Sequence, residues 1–169
     1  AVAQSAEFLA VDWRDLPARQ RSMRAVFAWS WQLLGAAEQR ILRQCAIFRG
    51  GFTYAAAQAV TGAIPALLAR LVDTSLLQWQ EHSTGERRYS LHELLRQFAL
   101  EELEAMGERA LVEDRQGRYY LAYLAARGLR LGRQAPKEAA NEIQAELDNV
   151  RQAWQWAVRL GQLPELDQA

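Results

Sequence analysis

The apolar positions of this chain fall mostly at three- and four-residue steps, the spacing that places side chains on one face of an α-helix. Met23, Val26, Phe27, Ser30, Trp31 and Leu34 share such a face, and Pro17 suits a helix start, so a helix is predicted over residues 18–34, closed by Gly35. A second helix is predicted over 36–48, with Ile41, Leu42, Cys45 and Ile47 or Phe48 directed inward. Arg49-Gly50-Gly51 breaks it. The Thr53 hydroxyl can accept from the free N–H groups of a short helix over 54–60, which Thr61-Gly62 closes. Pro65 opens the next helix, to Asp73, with Leu67, Leu68, Leu71 and Val72 as its apolar stripe.

The period then changes. Residues 75–80 and 87–91 read as short strands, and the polar span 81–86, with Gly85, reads as a hairpin loop facing solvent. Ser90-Leu91-His92-Glu93 has the S-x-x-E form of a capping box, so a helix is expected over 91–106 with Ser90 as its N-cap. Two further helical stretches, 108–131 and 136–160, are joined by a short loop and are expected to lie antiparallel. The predicted fold is mainly α: a winged helix with a two-stranded wing over 17–106, then an antiparallel helical pair over 107–169 that can begin a longer array. Residues 1–16 read as a connector. The main core is expected around Trp31, Phe48, Leu68, Leu71, Leu95 and Phe98. Trp154 and Trp156 are two apart and cannot share a helical face, so one is expected in the core and the other at the surface or at a seam to a following repeat.

Composition narrows the chemistry. The 169 residues are 50% hydrophobic and 24% charged, a globular balance, and 20 basic residues cancel 20 acidic ones. No bulk field steers the chain to nucleic acid or to a bilayer. The sole lysine, Lys137, follows Pro136, so the Gly-Lys pair of a phosphate-binding P-loop is absent. No G-x-G or G-x-S-x-G occurs, and His82 and His92 are ten apart rather than four, which excludes the H-E-x-x-H zinc arrangement. Cys45, the single cysteine, sits on an apolar helical face and reads as an inert core residue. Glu101, Glu102 and Glu104 read as a solvated helix face. No catalytic residue and no metal ligand is assigned, and the segment is not expected to be an enzyme by itself. No apolar run reaches the roughly 20 residues of a membrane span. The opening residues lack the charge and apolar pattern of a secretory signal, so a cytoplasmic location is expected. The chain lacks an initiator Met and reads as a piece of a larger protein.

Two stretches are more specific. "LARLVDTSLLQW" is followed, after the hairpin loop, by "RYSLHELLRQFALEEL". Together they resemble the winged-helix region of the STAND signal-transduction ATPases, the class that includes the apoptosome-forming protease activator and the plant NB-ARC resistance proteins. The class has a helix leading into an LV-x-K-S-L-L strand and, after the wing, an M/L-H-D-L motif. Here these read Leu71-Val72-Asp73-Thr74-Ser75-Leu76-Leu77 and Leu91-His92-Glu93-Leu94. "DLPARQRSMRAVFAWSWQLL" and "FRGGFTYAAAQAV" are similar to the same region of bacterial members, many of them large transcriptional regulators ending in helical repeats. "AELDNVRQAWQWAV" looks like the helix leading into such repeats. The resemblance spans roughly residues 16–158. Thr74 replaces the usual lysine and Glu93 the usual aspartate, and Ala28-Trp29 stands where a polar pair is common.

The resemblance implies a non-catalytic regulatory module. Its ATPase core would lie before residue 1, bind ADP or ATP with Mg in the intact protein, and be the module's partner within the same chain. It implies that His92 contacts the β-phosphate of ADP and holds the ATPase shut, and that loss of the contact releases the module for oligomerisation or transcriptional output. Local physics is compatible. With Ser90 as N-cap, His92 would be the second helical residue, at the positive end of the helix dipole, and a neutral imidazole there can donate one N–H to phosphate. Two other readings stay open: a scaffold that holds protein partners on its C-terminal helices, and a DNA-binding winged helix. The residues weigh against DNA. The helix in the recognition position, "PALLARLVD", offers one arginine, Arg70, where base readout needs several donors on one face. Arg87 and Arg88 in the wing are flanked by Glu81 and Glu86. Seven arginines over 12–52 face seven acids over 91–114, a balance better suited to pairing within the protein, so no DNA-binding residue is assigned.

Overall fold

The computed structural model describes residues 18–81, 86–131 and 136–161. Their order is α1 (Ala18–Gln32), α2 (Ala36–Cys45), β1 (Phe52–Thr53), α3 (Tyr54–Thr61), α4 (Pro65–Asp73), β2 (Gln78–Glu81), β3 (Arg87–Ser90), α5 (Glu93–Ala105), α6 (Arg109–Leu131), α7 (Pro136–Ala145) and α8 (Leu147–Leu160). From α2 to β3 this is a winged helix. Its antiparallel sheet has the order β1-β3-β2, with Tyr89 of the central strand opposite both Phe52 and Trp79. The fold class is the one the sequence predicts.

Several boundaries move for local reasons. The strand β1 is not foreseen, because two residues carry no alternation. It forms where Gly51, at φ 90°, brings its backbone against β3. A Cβ there would meet the Tyr89 carbonyl oxygen at 2.9 Å, so glycine is required. The helix α2 ends at Cys45, and the N–H groups of Ala46, Ile47 and Phe48 bond three residues back in a tighter turn. The strand β2 begins at Gln78, not Ser75. Ser75 adopts φ 59°, and the N–H groups of Leu76 and Leu77 both reach the Leu71 carbonyl, which folds these leucines into the core. The predicted helix over 136–160 is two helices broken at Glu146, whose φ is −107°. Thr53 caps α3 as expected, accepting from the Ala56 N–H at 3.2 Å. The hairpin tip and His82 lie outside the described residues.

One apolar cluster spans the winged helix and the helices after it. Ile41, Leu42, Phe52, Leu68, Leu71 and Leu95 are continuous with Val112, Tyr120, Val150 and Trp156. Phe48 joins the two parts, stacked on Phe52 at 4.6 Å and edge-on to Tyr120 at 6.3 Å. Trp31 is half-buried and meets Phe98 edge-on at 5.6 Å, so the helix α1 closes the core over α5. Of the two tryptophans on α8, Trp156 is buried and Trp154 is exposed. Cys45 is fully buried, and burial pushes its thiol up to about 12.

Candidate functional site

The helices α3 and α4 meet at 111° across residues 62–64, with Gly62 at φ 71° closing α3. This is helix-turn-helix geometry, and α4 holds the position that reads a DNA groove in such units. Its outward side chains are Ala66, Ala69, Arg70 and Asp73. The Arg70 Nε is 2.6 Å from Glu38 Oε1, on α2. Glu38 also accepts from the Gly35 N–H with its other oxygen, at 2.7 Å, so it is fixed at the start of its own helix. In the wing, the Arg87 guanidinium lies over the Trp79 ring at 4.6 Å, and Arg88 is ion-paired with Glu146. The arginines of the reading helix and of the described part of the wing are therefore all engaged within the chain.

The charge segregation seen in the sequence resolves the same way. Arg24 of α1 pairs with Glu101 of α5. Arg43 of α2 donates to both oxygens of Glu108, at 3.2 and 2.7 Å, and Gln44 adds a bond at 2.9 Å. These hydrogen bonds from Arg43 hold the Glu108 carboxyl below the usual range.

At the start of α5 the structure corrects the capping box. Ser90 ends β3, and His92, not Ser90, is the N-cap. Its Nδ1 accepts from the Leu94 N–H at 3.3 Å, so Nδ1 carries no proton and Nε2–H is the donor the ring presents. The imidazole is exposed, with the Phe27 ring 6.1 Å away on α1. Beside it Glu93 is held by Arg96 through two bonds of 2.8 Å, which keep the Glu93 carboxyl below its ordinary range. A cavity of about 410 Å³ opens next to this turn, between Gly50-Gly51, Ser90-Leu91 and the Arg49 and Arg96 side chains. His92 is not part of its lining.

A buried polar network that sequence reasoning missed ties the wing to the last helices. Glu146 is 3% exposed. Besides Arg88, it accepts from Tyr120 Oη at 3.0 Å and from Asn149 Nδ2 at 2.9 Å. Asn149 also donates to the Gly51 carbonyl at 2.8 Å and accepts from the Arg49 N–H at 2.8 Å, and Gln116 donates to the Asn149 carbonyl. Burial, reinforced by the Glu146 carboxylate, raises the Tyr120 hydroxyl far above its ordinary range. The missed signal lies in the spacing. Glu146 falls at the head of the stripe Val150, Ala153, Ala157, a carboxylate on the buried face.

Among the described residues no group of three His, Cys, Asp or Glu is placed to hold a metal ion. No single described helix is long and apolar enough to cross a membrane, and the apolar pair α3–α4 buries Ala56, Ala57, Val60, Leu68 and Leu71 in the core.

No family model matches the chain. No solved structure matches it either. Over 154 residues it is 35% identical to a protein of Mycobacterium tuberculosis that carries the provisional name HTH-type transcriptional regulator. A protein of Mycobacterium bovis with the same provisional name shows the same identity. The alignment covers 87% of this chain but 17% of each relative, so the chain spans a small part of the length of the curated relatives it matches.

Proposed function

We propose that this segment is a relay module inside a transcriptional regulator. In this reading its helix-turn-helix is a structural bracket, and regulation passes through contacts with other parts of the same polypeptide. The relatives' names support the regulatory setting. The observation that carries the bracket reading is the engagement of Arg70, Arg87 and Arg88 by Glu38, Trp79 and Glu146. A groove-reading helix needs free donors for base edges, and a wing needs free cations for phosphates. The finer proposal is that His92 reports the nucleotide state of a STAND-type ATPase domain preceding this segment. An exposed Nε2–H at a helix start suits a phosphate oxygen, and ADP, where bound, supplies that anionic contact.

The second reading, DNA binding by α4, is favoured by the 111° helix-turn-helix and by the relatives' names. One pair of experiments separates the two. Fluorescence anisotropy of a labelled generic duplex, titrated with the chain at low salt, is expected to show no binding. In the full-length regulator, the Arg70→Glu, Arg87→Glu double variant is expected to keep DNA affinity within about twofold. Binding with a steep salt slope, or a loss of tenfold or more, gives α4 the reading role. For the finer proposal, His92→Ala in the full-length protein is expected to speed ADP release. Unchanged release and unchanged basal activity overturn it.

A further inference from the structure

The groove between α5, α6 and α8 exposes an aromatic ring and a cation that no hydrogen bond or ion pair of the described residues engages. It encloses about 560 Å³, with Ile47 and Leu100 on its apolar side and Trp154 and Val158 along α8. Trp154 is 43% exposed, and its indole meets no other ring and no cation among the described residues. The Arg49 side chain makes no hydrogen bond or ion pair with a described residue, and its electrostatic neighbour, Glu93, is already gripped by two nitrogens of Arg96.

The chemistry that an occupant needs follows from these groups together. The remaining charges around the groove are matched: Arg109 is held by Glu104 and Glu113, and Arg159 lies 3.9 Å from Glu113. An occupant therefore meets four arginines, three of them ion-paired and Arg49 uncommitted, beside a single lining carboxylate, Glu113. A nucleoside polyphosphate brings several negative charges and finds one uncommitted counter-charge here. A peptide carrying one carboxylate is matched by it. Its acid supplies a bidentate partner for Arg49, and a neighbouring large apolar side chain covers Trp154, Val158 and Leu100.

We propose that this groove docks a short acidic segment of a partner protein, with a carboxylate on Arg49 and an adjacent leucine or aromatic side chain between Trp154 and Leu100. The site is small, which fits a transient contact. The proposal does not depend on nucleotide sensing by His92. It is tested by panning a random dodecapeptide phage library against the 169-residue chain. The expected selection is a consensus of an Asp or Glu next to a Leu, Phe or Trp, whose synthetic peptide binds at least tenfold more weakly to Arg49→Glu and to Trp154→Ala. Both residues are exposed, and circular dichroism checks that each variant keeps its fold. No enrichment, a basic consensus, binding by either variant as tight as by the unmodified chain, or displacement of the peptide by ADP overturns the proposal. So does binding that is lost in the full-length regulator, because the groove then belongs to another part of the same polypeptide.

Discussion

Arg88, on the central strand of the sheet, is ion-paired to Glu146, at the break between α7 and α8. The pair joins the wing to helices 58 residues further along the chain. It also explains why the predicted helix over 136–160 breaks where it does, since Glu146 turns toward Arg88, Tyr120 and Asn149.

Removing Glu146 leaves a guanidinium that is 14% exposed without its counter-charge and takes the acceptor from Tyr120 and Asn149. Glu146→Ala is expected to lower stability by about 3–5 kcal/mol, the usual range when one partner of a buried pair is deleted. Glu146→Gln keeps an acceptor for Tyr120 and should cost less, about 1–3 kcal/mol. Urea denaturation followed by far-UV circular dichroism measures both. Equal, small losses would mean that water supports Arg88 and that the wing is not anchored there.

What could be read from the sequence divides along the same line. Helix faces were legible because burial repeats at three and four residues, so Leu68, Leu71, Leu95 and Phe98 were placed correctly. Long-range polar contacts have no period. The partners of Arg24, Arg43 and Arg88 lie 77, 65 and 58 residues away and follow only from the folded chain. At His92 the S-x-x-E spelling pointed to Ser90 as the cap, but pairing of Ser90 with Gln78 continues the strand through that residue and shifts the cap by two. The exposed imidazole was legible as a candidate, whereas the groove at Arg49 and Trp154 was not, because three separate elements build it.

Gly117, inside α6, lies directly under the Trp156 ring. A Cβ at this position would approach Trp156 Cε3 to 2.3 Å. Alanine in a helix interior ordinarily gains about 1 kcal/mol over glycine. Here the buried indole must move, which costs about 1–3 kcal/mol. Gly117→Ala is therefore expected to destabilise or at best break even, and to become stabilising in a Trp156→Leu background. A double-mutant cycle on thermal unfolding checks the coupling, and independent, additive effects would refute the contact.

The capping role of His92 can be separated from its proposed contact with phosphate. Asp is a strong N-cap, so His92→Asp should preserve stability or raise it by a few tenths of a kcal/mol, whereas His92→Ala should lose about 0.5 kcal/mol or more. A phosphate contact reverses the ranking, because a carboxylate repels the anion. In the full-length protein His92→Asp should release ADP faster than His92→Ala while melting at least as high as the unmodified protein. Release rates that follow melting temperature instead would reduce His92 to a cap.

The interior also sets an alkaline limit to stability. Burial pushes the Cys45 thiol up to about 12 from an ordinary 9.0, and the Tyr123 hydroxyl to about 12 from 10.0. Tyr119 and Tyr120 are raised by burial as well. These groups are neutral when protonated, so each ionises at lower pH in the unfolded chain than in the folded one. As pH rises, the unfolded state loses its protons first and is favoured. Their contribution is complete below about pH 9 and is lost progressively between about pH 9 and 12. The urea midpoint is expected to be insensitive to these groups from about pH 7 to 8.5 and then to fall, with a shallower fall in Cys45→Ala. A thiol-specific disulfide reagent at about pH 8 should leave the native protein unmodified and titrate one thiol after denaturation. Rapid labelling of the native chain, or an alkaline slope unchanged by Cys45→Ala, would show that the thiol is reached by solvent through local opening rather than sealed in the core.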